Sequence, residues 1–158
     1  MKYLLTSLLL CLLCVGNVSG QKVSTSEYGG MINLMETKGK PGGRILVLRS
    51  QGYGKKEGIA KDDAVSRAVR AVLFIGFGKN LPKVISTSEA EANVKSNGKL
   101  DAFFSNREYL DCVVDVRVKS DLKKLKGEKE KSQMYEVSVN YDAVKLKVRE
   151  MSLETFGF

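Results

Sequence analysis

Residues 45–78, ILVLRSQGYGKKEGIAKDDAVSRAVRAVLFIGFG, contain an apolar run and the longest periodic segment of the chain. The first four residues form the continuous apolar run, which is typical of a strand at the centre of a sheet. From residue 56 to about residue 75, small and apolar residues recur at helical spacing: Val65, Ala68, Val69, Val72 and Gly76. We therefore predict a buried strand and then an amphipathic helix that packs on the sheet and ends at residues 76–78.

The polar side of the predicted helix contains the charged residues Lys61, Asp63, Arg67 and Arg70. Asp63 precedes Arg67 by four residues, a spacing at which an ion pair stabilises a helix by about 0.3 kcal/mol. Asp62 points about 100° away from Asp63 around the helix axis, so the two carboxylates are poorly placed to share a proton or a metal ion. We interpret them as solvated charges.

Two further strands are predicted by strict alternation of apolar and polar residues. Val114, Val116 and Val118 mark a half-buried strand, and residues 135–141 contain another. We expect the two strands to form an antiparallel pair, joined by the charged stretch 120–132.

The last segment, residues 142–153, allows two interpretations. Val144, Leu146 and Val148 alternate with polar residues, which permits a further strand. Asp142 is a favourable capping residue for a helix. We prefer the helix because this capping residue directly follows the end of a strand.

The segments before and between these elements are rich in turn-forming residues. Residues 21–43 are predicted to be a flexible lead-in, to which Ile32 and Leu34 could add an edge strand. Residues 79–98 are predicted to be a loop, with at most one short helical turn. That turn would follow a capping box that begins at Ser86.

A second short helix is expected to end near Tyr109, with one apolar face formed by Leu100, Phe103 and Phe104. Together, the elements predict a single α+β domain over residues 44–158. The expected architecture is a two-layer sandwich, in which a small antiparallel or mixed sheet carries its helices mainly on one face.

The amino terminus has the three regions of a cleavable signal peptide, predicted over residues 1–20. Lys2 precedes about a dozen largely apolar residues, and Val18 and Gly20 supply the small residues before a cut ahead of Gln21. The apolar run is shorter than the roughly 20 residues that span a bilayer as a helix. We therefore expect export, and a retained membrane anchor is the less favoured alternative.

The cysteines leave a second alternative open. Cys11 and Cys14 lie inside the apolar run, where their Cys-x-x-Cys spacing has no redox meaning. Cleavage before Cys14 would instead produce a lipid-anchored protein, although the preceding leucines lack the usual small residue. Cys112 is the remaining cysteine, so the mature domain can form no intrachain disulfide, and we expect this residue in the core.

The chain is basic, with a formal net charge of +8. An exported protein of this charge meets anionic lipid headgroups, lipopolysaccharide or wall polymers rather than nucleic acid. The signs are well mixed along the chain, so most of the charge is expected to be solvated. The expected location is the periplasm or cell envelope of a Gram-negative bacterium.

The sequence contains no histidine, which excludes the commonest catalytic arrangements. Serine and cysteine triads and histidine general bases require imidazole, and most zinc sites use it. Asp101, Glu108 and Asp111 could form a carboxylate-only hydrolase or calcium site, but no calcium-loop motif accompanies them. We expect no enzymatic activity, no metal and no cofactor.

The first candidate binding residues are Lys55 and Lys56, at the start of the long predicted helix. They follow Gly52-x-Gly54, which we interpret mainly as a tight turn into that helix and which could also form a nest for phosphate. The motif is not a dinucleotide fingerprint, because its third glycine position is occupied by Glu57.

The second group of candidate binding residues is Lys123, Lys124 and Lys126, at the tip of the predicted hairpin. Beyond them the charges alternate in sign, a pattern that protects a strand edge against aggregation. The tip could also dock on an anionic surface.

Several motifs resemble a family of small exported proteins of unknown function in Bacteroides and relatives. They are Gly52-Tyr53-Gly54-Lys55, Ala71-Val72-Leu73-Phe74 with Gly76, Phe103-Phe104, Val139-Asn140 and Phe156-Gly157-Phe158; the family differs at Ile75. The order of the elements is more distantly similar to small envelope lipoproteins and to amino-terminal domains of flagellar-assembly proteins. This resemblance implies a noncatalytic assembly role.

These observations predict an exported, noncatalytic envelope protein that acts as a protein-interaction or assembly module. Its expected partner is another envelope protein or a second copy, bound through a sheet edge or the hairpin tip. The alternative is a binder of an anionic envelope component through the two groups of lysines. Carboxylate-based hydrolysis is the third and least favoured hypothesis.

Overall fold

The computed structural model describes residues 31–124 and 130–153. The predicted signal peptide with Cys14, the first part of the lead-in, Lys126 and the motif at residues 156–158 lie outside the described residues.

The described chain contains five strands and four α-helices. The strands are β1 (Ile32–Lys38), β2 (Ile45–Gly54), β3 (Val113–Val118), β4 (Lys123–Lys124) and β5 (Lys131–Asn140). The helices are α1 (Glu57–Phe74), α2 (Glu89–Lys95), α3 (Lys99–Ser105) and α4 (Tyr141–Glu150), and a 3-10 helix spans Glu108–Cys112.

The five strands form one sheet in which every pairing is antiparallel. The strand order is β1-β2-β5-β3, so β2 and β5 occupy the centre. β4 pairs with β5 beyond the end of β3, so that β3 and β4 share one edge. The predicted α+β class and the predicted β3–β5 pairing are confirmed, and the sheet is antiparallel rather than mixed.

α1 lies across the two central strands and forms the centre of a single core. The side chains of β2 and β5 that face this helix are at most 1% exposed: Leu46, Leu48, Tyr135, Val137 and Val139. The predicted apolar side chains of α1 pack on them and are at most 2% exposed: Val65, Ala68, Val69 and Val72.

The other helices contribute to the same core, which fixes them on the same side of the sheet. They contribute Ala92, Leu100, Phe103, Val144 and Val148. On the opposite face, the alternating positions of the central strands are mostly polar and partly exposed, as at Arg49, Glu136 and Ser138.

The Gly52-x-Gly54 motif lies within β2 and is not the turn that the sequence suggested. A Cβ atom at Gly52 would lie 1.8 Å from the carbonyl oxygen of Ala60 and 2.8 Å from the Cβ of Ala64. At Gly54, a Cβ would lie 2.7 Å from the backbone nitrogen of Ala60. These glycines are needed because α1 crosses the strand at backbone contact distance.

Residues 32–38 form the edge strand β1 and are not part of a flexible lead-in. The strand pairs with β2 from Ile32 opposite Ser50 to Lys38 opposite Ile45. Ile32 and Leu34 face the core side of the sheet, which explains why this glycine-rich region nevertheless adds a strand.

The middle region contains more helix than predicted. α2 extends over two turns, and its capping residue is Ser88 rather than Ser86, because the Ser88 hydroxyl accepts the N–H of Glu91. The following helix ends at Ser105, and Arg107 then adopts a left-handed conformation before the 3-10 helix.

The helix preferred for the last segment is present as α4, but Asp142 does not cap it. Asn140 is the capping residue, since its side-chain oxygen accepts the N–H of Ala143. Asp142 instead accepts the N–H groups of Gly42 and Arg44 and forms a 2.9 Å ion pair with the Arg44 guanidinium. This carboxylate therefore joins the β1–β2 turn to the start of α4.

The charged side of α1 is less solvated than predicted. Arg67 donates to Asp63 at 2.6 Å, which confirms the expected ion pair, but the Arg67 residue is only 8% exposed. Asp63 also accepts the backbone N–H of Tyr53. The pair thus joins the helix to the end of β2. Asp62 forms a separate, exposed ion pair with Arg107 at 2.7 Å.

Candidate interaction surface

The β3 edge is the candidate functional surface, and we define it as strand Val113–Val118 with the neighbouring Leu110. It lies at the end of the strand order, so no strand of the described chain pairs with its outer side. The predicted strand is confirmed, but it is less buried than its alternating pattern indicated: Val114 is 57% exposed and Val118 is 60% exposed.

Part of the β3 backbone directs its hydrogen-bonding groups away from the sheet. Lys119, directly after β3, donates its N–H to the carbonyl oxygen of Met134 at 2.8 Å. Residues of an antiparallel strand alternate in the side to which their N–H and C=O groups point. The backbone N–H and C=O groups of Arg117 therefore also point toward β5. Those of Val116 and Val118 point away from β5, to the outer edge of the sheet.

Two charged residues lie between the exposed valines. Asp115 and Arg117 are opposite Ser138 and Glu136 in the register, on the sheet face away from α1. The Arg117 guanidinium donates to the Asp115 carboxylate at 2.6 Å; the Arg117 side chain is largely exposed and the Asp115 side chain is partly exposed. A register shift between Val113 and Asp115 makes Val114 the extra residue of a bulge.

A groove of about 510 Å³ lies between α1 and the β3 edge. Its apolar wall consists of Val65, Leu110, Val113, Val114 and Val116. The charged residues that line it from the α1 side are Lys61, Asp62 and Arg107. The groove is wide enough for side chains of a bound segment and contains both apolar and charged contacts.

The opposite edge of the sheet, formed by β1, has a different character. Most of β1 is exposed, and an exposed ion pair joins Glu36 to Lys38 at 3.2 Å along it. Charged residues on an edge strand are a common protection against pairing with other chains. β3 also carries an ion pair, but four of its six residues are valine, so the β3 edge is the more apolar of the two.

The register brings the predicted lysines together at one end of the sheet. Gly54, the last residue of β2, pairs with Lys131 of β5, which in turn pairs with Lys124 of β4. Lys55 and Lys56 follow Gly54 directly and are exposed, as are Lys123 and Lys124. We call these five lysines, Lys55, Lys56, Lys123, Lys124 and Lys131, the basic end.

The helix start at Lys56 shows no feature that is specific to phosphate. Lys56 is the capping residue of α1, has extended backbone and provides no side-chain cap. At the other side of the basic end, Lys123 is paired with Asp121 at 3.4 Å, and both side chains are mostly exposed. The arrangement is a group of exposed lysines interspersed with Glu57, Asp121 and Glu130, and it is not a shaped site.

The predicted carboxylates do not converge on one another. Asp101 accepts a hydrogen bond from the side chain of Asn93, Glu108 accepts one from Asn106, and Asp111 pairs with Lys147 of α4. Within residues 31–124 and 130–153, no group of three or more carboxylate or cysteine side chains could hold a metal ion.

A cleft of about 820 Å³ with a mixed polar and apolar lining lies between the end of α1 and α2. Its most prominent cation, Arg70, is only partly exposed and pairs with Glu89 at 3.0 Å. The Arg70 guanidinium also lies 3.7 Å from the ring centroid of Phe104. Because Arg70 already contacts Glu89 of α2 and Phe104 of α3, its charge is not available to bind an anionic ligand in the cleft.

Cys112 lies in the core, as the sequence predicted. The residue is 1% exposed, and burial raises the pKa of its thiol to about 11, so the nucleophilic thiolate is scarce at neutral pH. The thiol is therefore a packing group.

The β3 edge could not be identified from the sequence, because its valines resemble core valines. Only the strand order shows that no described strand follows on that side. The one local indication of a pairing edge is the alternation Val114-Asp115-Val116-Arg117-Val118. Its two charges could form ion pairs with a neighbouring strand.

Comparison with protein-family models, with curated proteins and with solved structures finds no significant match to this chain. The resemblance to small exported Bacteroides proteins therefore stays a prediction. None of the helices in the described ranges has the length and apolar character needed to cross a membrane.

Proposed function

We propose that this chain is an exported, noncatalytic envelope protein that acts as a protein-interaction or assembly module through its β3 edge. The observation that carries this proposal is the edge itself. It combines outward-facing backbone groups at Val116 and Val118 with apolar side chains that are more than half exposed at Val114 and Val118. Such an edge can accept an additional strand.

The chemistry of strand addition fits the surroundings of β3. Main-chain hydrogen bonds to an added strand supply affinity, and pockets beside the strand select its side chains. The groove lined by Val65 and Leu110 supplies such a pocket, and the Asp62–Arg107 pair supplies charge beside it. An extended segment of another envelope protein, or of a second copy, is the proposed occupant.

The proposed location depends on the amino terminus. A cut before Gln21 would release the domain into the periplasm of a Gram-negative cell, whereas a cut before Cys14 would leave it anchored by lipid. In both cases the β3 edge would be available to other envelope proteins.

Cross-linking in intact cells, followed by mass spectrometry, tests the proposal. We expect the wild-type protein to form a cross-linked species, and we expect Val118→Lys to reduce it at least about tenfold because the substitution puts a charge on the apolar edge. Val94→Lys is the matched control, since Val94 is 76% exposed on α2, away from the edge. Recovery of wild-type monomer alone, or an equal loss in both variants, would contradict the proposal.

A second function is favoured by the basic end. The register places Lys55 and Lys56 beside Lys131 and Lys124, so the charge is concentrated at one end of the sheet. We propose as the alternative that this end binds an anionic envelope component, such as a lipid headgroup, lipopolysaccharide or a wall polymer.

Vesicle co-sedimentation tests this alternative. Vesicles that contain an anionic phospholipid should bind the protein at low salt, and neutral vesicles should not. Changing Lys55, Lys56 and Lys124 to Glu should abolish binding, whereas Lys79→Glu with Lys99→Glu, which lie outside the basic end, should weaken it much less. Binding that is insensitive to salt, or equally weakened by both sets of changes, would refute this function.

A further inference from the structure

We propose that the occupant of the β3 edge is a second copy of this chain, paired antiparallel about a two-fold axis at Val116. This inference rests on the proposed function of the edge and specifies its partner and its register. In the pair, Val116 of one copy lies opposite Val116 of the other, and the two sheets join into one continuous sheet.

Charge complementarity selects this register. When the axis lies at Val116, Asp115 of each copy lies opposite Arg117 of the other copy, and both side chains are on the sheet face away from α1. The two residues already pair within one strand at 2.6 Å, and their side chains are 68% exposed at Arg117 and 42% exposed at Asp115. In the dimer, four alternating charges would therefore form a single network across the two-fold axis.

The neighbouring registers place at least one pair of like charges opposite each other. With the axis at Asp115, two aspartates face each other. With the axis at Arg117, two arginines face each other, although Asp115 then lies opposite Lys119 of the other copy. With the axis at Val118, Arg117 faces Lys119 of the other copy. Like charges directly opposite destabilise a strand pair, so the Val116 register is the one that these residues support.

The backbone and the apolar side chains agree with the same register. Val116 directs its N–H and C=O groups outward, as deduced from the bond between Lys119 and Met134, so two copies of Val116 can exchange both hydrogen bonds. Val118 of one copy then lies at the bulge formed by Val114 of the other, and both side chains are more than half exposed in the single chain. Pairing would remove these valines from water.

The contact is small, because β3 has six residues. Short interfaces are typical of weak or transient association, so we expect a monomer–dimer equilibrium rather than a permanent dimer. Such an equilibrium can be measured over about 5 µM to 1 mM protein.

Sedimentation equilibrium of charge variants, under reducing conditions, tests the proposal. Asp115→Arg and Arg117→Asp each place two pairs of like charges across the axis, and each should weaken self-association by about 30-fold. An equimolar mixture of the two variants restores both opposite-charge pairs, so it should dimerise about as well as the wild type. Both positions are exposed, and restoration by mixing cannot arise from misfolded chains.

Three outcomes would overturn self-pairing: a wild-type protein that stays monomeric throughout this range, single variants that dimerise like the wild type, or a mixture that stays monomeric. If the wild type is monomeric but Val118→Lys still abolishes cross-links to a different protein in cells, then self-pairing fails and the proposed function of the edge stands. If the wild type is monomeric and forms no cross-links in cells, both self-pairing and the proposed function of the β3 edge are wrong.

Discussion

Replacing Gly52 by alanine should destabilise the protein strongly, because α1 crosses β2 at this residue. The added methyl group would lie 1.8 Å from the carbonyl oxygen of Ala60 and 2.8 Å from the Cβ of Ala64. Both alanines are fully buried, so the strand and the helix have to separate to admit it. A Cβ is normally more than 3.4 Å from such atoms, which implies a displacement of about 1.5 Å between α1 and β2.

The size of the effect follows from overpacking. Forcing extra carbon atoms into a well-packed core costs about 1–3 kcal/mol, and occasionally more. The contact at Gly52 is with backbone, which cannot rotate away, so we predict a loss of about 3 kcal/mol in the free energy of unfolding. For a domain of this size, that loss corresponds to a fall of about 10 °C in Tm.

Gly58→Ala is the matched control, with an expected effect of opposite sign. Gly58 lies in the first turn of α1, and a Cβ there would meet no atom within 4 Å. Alanine favours helix over glycine, so this variant should gain about 0.5 kcal/mol. Urea denaturation and thermal unfolding of the three proteins measure both effects. If Gly52→Ala unfolded within about 0.5 kcal/mol of the wild type, the close crossing of α1 and β2 would be refuted.

Two further predictions concern single side chains. Burial opposes ionisation of Asp142, but hydrogen bonds from Arg44 and Gly42 outweigh it and hold the pKa of this carboxyl below its ordinary value. Asp142→Asn should therefore cost about 2 kcal/mol at pH 7 by urea denaturation. The pKa of this carboxyl is about 4 in the unfolded chain and lower in the folded protein, so the cost should shrink as the pH falls through this range. A cost that stays unchanged in acid would contradict the stabilising role of the ionised Asp142 carboxylate. The Cys112 thiol, whose pKa burial raises to about 11, should resist a thiol reagent in the native protein and react once urea unfolds it; rapid native labelling would show that the side chain is not in the core.

The central part of the fold could be predicted because its local signals agree with its packing. The apolar run at residues 45–48 lies in β2, and the helical spacing of Val65, Val69 and Val72 marks the face of α1 that is buried. The alternation around Val137 likewise marks β5. In each case the hydrophobic period of the segment equals the period of its secondary structure.

Other features could not be predicted because they depend on contacts between distant residues. The local sequence around Gly52 predicts a turn. Only the structure shows that a glycine is needed there because α1 crosses β2 too closely for a Cβ atom. The sequence predicts Asp142 as a helix cap. In the structure its carboxylate instead accepts hydrogen bonds from the N–H groups of Gly42 and Arg44 in the β1–β2 turn. Local propensity was overridden by tertiary contacts in both cases.

The candidate surfaces were predictable to different degrees. The candidate lysines can be predicted from their positions at a helix start and a hairpin tip, whereas only the pairing of Gly54 with Lys131 shows that they share one end of the sheet. The β3 edge required the strand order, because an exposed valine and a buried valine have the same sequence signature. The exposed pair of Asp115 and Arg117 is what distinguishes this edge from an unprotected one.

The same charges limit which strands the β3 edge can accept. An apolar edge strand with free backbone groups is at risk of aggregation unless bulges or charges restrict its pairing. β3 has both, with the bulge at Val114 and the ion pair of Asp115 with Arg117. A strand with a complementary charge pattern is therefore favoured over an arbitrary apolar strand, and the edge can be selective without being permanently covered.

The most direct measurement of edge pairing is amide hydrogen exchange at Val116 and Val118, compared between dilute monomer and associated protein. Their N–H groups should exchange rapidly in the monomer and at least about tenfold more slowly on association, because they gain hydrogen-bond acceptors. Arg117 and Lys119, which already face β5, should be protected in both states. If association leaves exchange at Val116 and Val118 unchanged and slows it elsewhere, for example at Lys124 and Lys131, the β3 edge is not the interaction surface.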